Sequence, residues 1–375
     1  MMRSNCHLLT AMRLRIFFSM VSCLVTVPAF AAVLYTAQVL NVQASGGRNS
    51  YATGVNSNGQ VVGHFNYSTQ SDHGCLYNTL GNAVDLGTFG GQDSSANAIN
   101  DSGQVVGTAA PLAGYNYSHA FVYGNGVKTD LGTMGGRYSS ANGINSTGQI
   151  VGVADRADQS QHAFLYSGGV MKDLGVIGGG VFAVSNASSI NSYGQIVGYS
   201  TTASNAYHAF LYDTGRMIDL GTLGGSGSGA TGINNANSII GHSNLSSGLT
   251  HAFIYSHGVM SDMGTLGGTY SSASGINSAG QIVGQSYTAA GNQRAFLYLD
   301  GQMIDLNSFI APQSIALTNA TSISDNGKIA AEGVDSAGRT HAYLLTPVPE
   351  PTGLLTALPI ILVFRRIRKR PWAVR

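Results

Sequence analysis

The sequence contains few charged residues: Lys, Arg, Asp and Glu together make up 9% of its 375 residues. Half of the 18 basic residues lie close to the two ends, whereas 16 of the 17 acidic residues lie between positions 32 and 347. The long central part of the chain is therefore acidic. An acidic body argues against a nucleic acid as the partner.

Cysteine is nearly absent from the same region. Of the three cysteines, Cys6 and Cys23 lie in the N-terminal segment, which leaves Cys75 alone in the body. An internal disulfide is then impossible, and the body must be stabilised by packing. Cys75 occupies a position that is Phe in related segments of the chain, so we expect a buried side chain and not a reactive thiol.

Recognisable catalytic and cofactor motifs are also missing. The body has a single glutamate, Glu332, and no nucleophile motif, phosphate-binding loop or calcium loop. Two residue types do recur at regular spacing and suggest either a site or a structural role. The histidines are His73, His119, His162, His208, His251 and His341, and the aspartates are Asp85, Asp130, Asp173, Asp219, Asp262 and Asp305.

Separate repeats place equivalent side chains too far apart to share one metal ion, whose ligands lie about 2 Å from it. We expect each histidine to hold a loop by a hydrogen bond and each aspartate to cap a turn. The alternatives are a metal set for the histidines and acid–base work on a glycosidic bond for the aspartates. The sequence predicts no catalytic residue, no cofactor and no metal.

Both ends read as targeting segments. Basic residues, the apolar stretch Ile16–Val27 and the small-residue pattern ending at Ala31 are typical of a secretion signal over residues 1–31, cleaved after Ala31. Alternatives are translation from Met12 and lipidation at Cys23. A membrane anchor is disfavoured because the apolar run is short.

The C-terminal segment, residues 348–375, combines three features in a fixed order. Val348, Pro349, Glu350 and Pro351 precede the apolar stretch Thr352–Phe364, and a basic cluster follows. This order resembles the PEP-CTERM sorting signal. The resemblance implies transient contact with the inner membrane through a transmembrane helix, recognition by an exosortase-type sorting enzyme, and a Gram-negative host. The apolar stretch is shorter than is usual for that family and contains Pro359.

A repeat fills residues 32–347. Its landmark, Ile-Asn-Ser-x-Gly-Gln-Ile-Val-Gly with substitutions, starts at Val55, Ile99, Ile144, Ile190, Ile233, Ile276 and Ile323. Short apolar segments separated by Asn, Ser and Gly turns predict four strands in each repeat. A repeat of about 40–45 residues with four strands is typical of a propeller blade.

The ends of the body decide between a ring and a rod. The third-strand motif occurs seven times, but the fourth-strand motif follows only six of these copies. The missing piece lies at the start of the chain, in Val39–Val42, which places Asn41 in the Asp position. We therefore predict an all-β, seven-bladed β-propeller closed by pairing of its N- and C-terminal strands, which removes both free edges. The alternative is an open β-solenoid.

The third-strand motif also points to a family. The tripeptide His-Ala-Phe at His119, His162, His208 and His251 resembles the HAF repeats of extracellular proteins, and the resemblance covers most of Val55–Leu345. It implies secretion and a repeat fold, and little about activity. The chain departs from the pattern at Gly74-Cys75, at Arg294 and after Asp305.

The loops between second and third strands differ most between repeats. Exposed Tyr among small polar residues is suited to binding sugars or proteins. The possible ligand-binding residues are Tyr67, Tyr115, Tyr117, Tyr199, Tyr207 and Tyr287. We predict a secreted, surface-sorted, non-catalytic protein that binds exopolysaccharide or a surface protein of the extracellular matrix. The alternatives are a glycan hydrolase or lyase on a propeller scaffold, and a purely structural surface protein.

Overall fold

The chain folds as a β-propeller in a computed structural model that describes residues 35–40, 49–68, 71–112, 117–178, 180, 183–310 and 316–348. These residues contain 28 strands and a short 3₁₀ helix. The first strand, β1 (Tyr35–Val39), precedes the regular repeats. The next three repeats supply β2 (Ser50–Val55), β3 (Val61–Ser68), β4 (Ser71–Tyr77), β5 (Ala83–Asp85), β6 (Ser94–Ile99), β7 (Val105–Ala109), β8 (His119–Gly124), β9 (Val127–Asp130), β10 (Gly135–Ile144), β11 (Ile150–Arg156), β12 (Gln161–Ser167) and β13 (Val170–Asp173).

The remaining strands continue the same order. They are β14 (Ser185–Ile190), β15 (Ile196–Thr201), β16 (Tyr207–Asp213), β17 (Arg216–Asp219), β18 (Gly224–Ile233), β19 (Ile239–Leu245), β20 (Thr250–Ser256), β21 (Val259–Asp262), β22 (Gly267–Ile276), β23 (Ile282–Thr288), β24 (Gln293–Leu299), β25 (Gln302–Asp305), β26 (Ala316–Ile323), β27 (Ile329–Val334) and β28 (Thr340–Pro347). The 3₁₀ helix, Leu306–Phe309, follows β25.

Seven four-stranded antiparallel blades are formed by these strands in the described part of the chain. Each of the first six blades uses four consecutive strands, starting with β2–β5, and blades five and six are also linked by a parallel bridge between Thr250 and Tyr270. Blade seven has the order β1-β28-β27-β26, so its outer strand comes from the start of the chain. The predicted propeller and its closure by the two ends are confirmed.

The register of the closing strand differs from the prediction. Val39 pairs with Tyr343, as Asp85 pairs with Cys75 in blade one. Val39, and not Asn41, therefore stands in the Asp position, and Asn41 lies outside the described residues. The reason is the apolar residue that follows: Leu40 is 2% exposed and donates its backbone N–H to the Ala342 carbonyl, as Leu86 does to Gly74.

The Asn-Ser-x-Gly turn joins neighbouring blades. Asn145 accepts a hydrogen bond from the Gln149 N–H at 2.9 Å, which fixes the turn within its own blade. Its amide donates to the Asn191 carbonyl of the next blade at 3.1 Å. Equivalent bonds start at Asn56, Asn100, Asn191, Asn234 and Asn277. A side chain chosen for a tight turn thus also connects the blades around the ring.

The core lies between blades. Blades two to six carry a Phe on the third strand, such as Phe164 and Phe210, which is fully buried against aliphatic residues of the neighbouring sheet. Burying one such side chain contributes roughly 1.5–3 kcal/mol, so a closed ring of these contacts can hold without disulfides.

No helix within the described residues is long and apolar enough to cross a membrane. The expected transmembrane helix is therefore not found there. The two apolar segments on which that expectation rested, Ile16–Val27 and Thr352–Phe364, lie outside the described residues, as do Ala31 and the sorting residues Pro349, Glu350 and Pro351.

Candidate functional site

The recurring His and Asp form pairs within each blade. His162 Nδ1 lies 2.9 Å from Asp173 Oδ1, and the same carboxylate accepts the Gly175 N–H at 2.8 Å. Four further blades repeat this pair: His73–Asp85, His119–Asp130, His208–Asp219 and His251–Asp262. The carboxylate thus holds a turn and a neighbouring strand together, which agrees with the structural role expected for both residues.

Two blades form the pair differently. In blade six, Arg294 replaces the histidine and its Nε lies 3.8 Å from Asp305. In blade seven, Val39 supplies no carboxylate, and His341 instead lies 3.0 Å from Asp335, which precedes it on the β27–β28 turn. Among the described residues, no three His, Cys, Asp or Glu side chains lie together closely enough to hold a metal ion.

The axis of the ring is a narrow channel with an aliphatic constriction. The inner strands end at Val55, Ile99, Ile144, Ile190, Ile233, Ile276 and Ile323, and these seven side chains line two cavities of about 250 and 190 Å³. The larger cavity is also lined by residues of the Asn-Ser-x-Gly turns. The smaller cavity is also lined by the inner-strand residues that come just before the seven aliphatic positions, such as Gly54 and Gly143. Polar groups that line the larger cavity are engaged in hydrogen bonds within the protein. Asp101, for example, accepts hydrogen bonds from the Ser57 N–H at 2.8 Å and the Ser57 hydroxyl at 3.1 Å.

The four predicted ligand-binding tyrosines whose side chains the structure describes are divided among blades two, four and six. Tyr199 and Tyr207 meet edge to face with ring centroids 5.7 Å apart, and Tyr207 is 51% exposed. Tyr287 instead packs edge to face on Tyr270, 5.9 Å away. Tyr117 lies beside His119, with centroids 5.9 Å apart. Tyr115 and the side chain of Tyr67 lie outside the described part of the structure.

Tyr207 borders a groove between blades four and five. The groove has a volume of about 500 Å³, within the range of roughly 300–1,000 Å³ seen for ligand pockets. It lies on the face of the ring that carries the loops between second and third strands. Its wall is formed by Ser204, Asn205, Ala206, Tyr207, Ser226, Gly227, Ser228, His242 and Asn244.

The groove exists because one residue is missing a side chain. The inner strands β10, β18 and β22 have equal lengths, and their fourth residues are Tyr138, Gly227 and Tyr270. In blade six, Tyr270 fills the space in front of Tyr287; in blade five, Gly227 leaves the corresponding space open. The difference between Gly and Tyr at this strand position is visible in the sequence, whereas the loop tyrosines give no sign of the groove.

Burial raises the pKa of two ionisable side chains, Cys75 and Glu332. Cys75 is fully buried, and desolvation raises the pKa of its thiol to about 12, so the thiolate is not available at neutral pH. Burial likewise raises the pKa of the Glu332 carboxyl, whose Oε2 accepts a hydrogen bond from Asn319 at 3.3 Å.

Comparison with known proteins supports the fold only. No protein-family model and no curated protein matches the sequence. The structure is similar to the β-propeller domain of the Trilobed protease from Pyrococcus furiosus, with a TM-score of 0.53 and 10% identity over 83% of this chain and 99% of that chain. It is also similar to TolB from Acinetobacter baumannii, with a TM-score of 0.38 and 12% identity over 61% of this chain. The match spans 60% of that TolB chain. The similarity to the Trilobed protease domain establishes a propeller scaffold, and at 10% identity it carries no activity with it.

Proposed function

We propose that this protein is a secreted, surface-sorted propeller that binds a component of the extracellular matrix, a polysaccharide or a protein, and performs no catalysis. The observation that carries the proposal is the groove at Tyr207. An exposed aromatic ring, small polar residues and a preformed space of about 500 Å³ occur together on the loop face of the ring. Tyr provides flat apolar area at low entropic cost, and Ser and Asn provide adaptable hydrogen bonds.

The recurring carboxylates favour binding over hydrolysis. Acid–base cleavage of a glycosidic bond requires two carboxyl groups about 5–9.5 Å apart across the sugar. The repeated aspartates instead occur once in each of blades one to six, and each of them is bound to a histidine or arginine and to a backbone N–H of its own turn. Such an aspartate serves the fold, and the groove itself is lined by no acidic residue.

The targeting part of the proposal comes from the two ends of the sequence. The secretion signal cleaved after Ala31 would deliver the body across the inner membrane. The C-terminal segment starting at Val348 would be recognised by an exosortase-type enzyme, which places the processed protein at the outer surface of a Gram-negative bacterium. A low-charge, disulfide-free ring is compatible with this destination. Fractionation of the producing cells, with and without residues 348–375, tests the proposed sorting: loss of surface protein in the truncated form is expected.

The binding function is tested by incubating the purified protein with the exopolysaccharide and the surface proteins of the producing cells. We expect retention of the protein on one of these without release of new reducing ends. New reducing ends would replace the proposal with an enzymatic function. Absence of retention on both materials would favour a purely structural role.

A further inference from the structure

We propose that the groove between blades four and five binds a neutral pyranose residue of a polysaccharide. The inference rests on the proposed function and assigns to it a specific site and ligand class. Three properties of the groove carry it: an aromatic platform, polar side chains without partners, and the absence of formal charge.

The platform is the ring of Tyr207. Its side chain is 51% exposed at the start of β16, and the ring of Tyr199 supports it edge to face at 5.7 Å. An aromatic ring held by a second aromatic ring loses little freedom when a ligand packs on it. The C–H face of a pyranose is flat and apolar, and it therefore matches a Tyr face in size and polarity.

Polar groups that lack partners surround this platform. The exposed His242 imidazole and the Asn205 amide make no hydrogen bond with the described residues, although both line the groove. The Asn244 amide donates to the Thr250 hydroxyl at 2.9 Å, which fixes the side chain. Its Oδ1 accepts only a long hydrogen bond, of 3.5 Å, from the Ser226 hydroxyl. Donors and acceptors that the fold does not use are available to sugar hydroxyls.

The charge of the lining selects between classes of sugar. None of the lining residues is Asp, Glu, Lys or Arg. A uronate or sulfated sugar would place its anion against a wall with no cation to compensate for lost hydration. A neutral sugar carries no such cost, and the groove therefore favours neutral over acidic polysaccharides.

Gly227 provides the variant that closes the groove. A Cβ at this position would lie 3.1 Å from the Tyr207 carbonyl oxygen and 3.4 Å from Asn244 Oδ1, so a side chain enters with small adjustments. Tyr already occupies the same strand position in blades three and six. Gly227→Tyr should therefore fill the space in a way that this repeat accepts.

The experiment is affinity electrophoresis of the full chain in gels containing dextran, laminarin, galactomannan, the producer's exopolysaccharide or, as the acidic polysaccharide, alginate. Four proteins are compared: the unaltered protein, Tyr207→Ala, Gly227→Tyr and Tyr193→Ala. Tyr193 is the matched control, because it is 75% exposed but lies in an Asn-Ser-x-Gly turn on the opposite face. We expect the unaltered protein and Tyr193→Ala to be retarded equally by at least one neutral polysaccharide, and the two groove variants to bind it at least tenfold more weakly.

The remaining outcomes separate the two proposals. Equal retardation of all four proteins would overturn the groove as the site and leave a polysaccharide-binding function in place. Retardation by alginate alone would overturn the neutral class. Failure of the unaltered protein to bind any polysaccharide, or binding only to surface proteins, would overturn the sugar site. Circular dichroism checks folding, and should Gly227→Tyr fail to fold, His242→Ala replaces it, with the same expected loss.

Discussion

The joint between blades three and four and the joint that closes the ring perform the same task with different residues. In the first, the Asn145 amide donates to the Asn191 carbonyl at 3.1 Å. In the second, blade seven has Ser324 in the Asn position, and the Ser57 carbonyl of blade one is bound instead by Asn326 and Lys328, at 2.6 and 3.0 Å. The regular joint uses the repeated Asn amide, whereas the closing joint replaces that amide with the side chains of Asn326 and Lys328.

This difference follows from the chain. A regular joint connects blades that are adjacent in sequence, so its residues are already held near each other. The closing joint must bring together segments nearly 300 positions apart, and loop-closure entropy opposes that step. A further contact, in which the Thr340 N–H donates to Asn49 Oδ1 at 3.0 Å, belongs to this joint. We therefore expect the loss of the closing strand β1 to destabilise the ring more than any single substitution in a turn.

Removal of residues 35–40 should have the largest effect. The truncation deletes the outer strand of blade seven. It also removes the side chains of Tyr35 and Leu40, which are buried in the intact protein, with exposed fractions of 5% and 2%. Two such side chains contribute about 3–6 kcal/mol together. The loss is measured by urea unfolding followed by circular dichroism. Val39→Asp is the control, because it restores the residue of the other blades at a position that is 36% exposed, and it should change stability by less than about 0.5 kcal/mol. A truncated chain as stable as the intact one would contradict closure by the ends.

Substitution of the turn residues should distinguish the two joints. Asn145→Ala leaves the Gln149 N–H and the Asn191 carbonyl without partners in a buried turn, and each such group costs about 1–3 kcal/mol. Ser324→Ala removes the acceptor of the Lys328 N–H, 3.0 Å away, and the hydroxyl that donates to Asn326 Oδ1 at 2.8 Å. The bonds from Asn326 and Lys328 to the Ser57 carbonyl do not involve Ser324 and still hold that joint. We expect losses of about 3 and about 1 kcal/mol in the same unfolding assay. Equal losses in the free energy of unfolding would show that the Asn145 amide stabilises its joint no more than Ser324 stabilises the closing joint.

The sequence predicts what is repeated in this molecule and misses what occurs once. Seven copies of the turn, six of them with Asn at the first position, and seven copies of the third strand are enough to predict the blades and the ring. The closing strand has one copy and lacks the Asp that marks this position in the other blades. The sequence therefore predicts Asn41 at the Asp position, two residues beyond Val39, which occupies it in the structure. The groove depends on Gly227. In a glycine-rich chain this residue becomes informative only when the fourth positions of β10, β18 and β22 are compared. The His–Asp pairs were visible as two recurring residues, but their contact depends on the register of the third and fourth strands.

Blade one, beside the closing joint, contains a compensated pair of substitutions. Cys75 stands where Phe164 stands in blade three, and Phe65 stands where Ala154 stands. Both Cys75 and Phe65 are buried in one cluster, so the large side chain has moved to the neighbouring strand. Cys75→Phe should therefore overpack the cluster and cost about 1–3 kcal/mol.

The double variant Phe65→Ala with Cys75→Phe tests this interpretation. It restores the arrangement of blade three, and we expect it to recover most of the stability lost in Cys75→Phe. The coupling free energy from the double-mutant cycle should be about 0.5–3 kcal/mol and favourable to the restored pair. Additive losses would show that the two positions do not share one space.

The smallest effect concerns a single carboxyl in blade seven. Glu332 occupies the strand position that Gln285 occupies in blade six. Burial raises the pKa of Glu332, so the folded state binds its proton more tightly than the unfolded state. Stability is then unaffected below the ordinary glutamate pKa of about 4.3 and decreases as pH rises towards the raised pKa. Glu332→Gln should therefore raise stability at pH 8, by about 1 kcal/mol or less, and leave it unchanged near pH 3.

The reciprocal change sharpens the comparison of the two blades. Gln285 accepts a hydrogen bond from Gln293, so an amide is already accommodated at the position in blade six. Gln285→Glu introduces a carboxyl there without altering the length of the side chain. If the strand position itself is poorly solvated, this variant should acquire the pH dependence that Glu332→Gln removes. If the ionised carboxyl is disfavoured only by the burial of Glu332 in blade seven, the stability of Gln285→Glu should follow that of the unaltered protein from pH 3 to pH 8. Urea unfolding at both pH values separates the two cases, because linkage makes the pH slope a direct measure of the difference in bound protons.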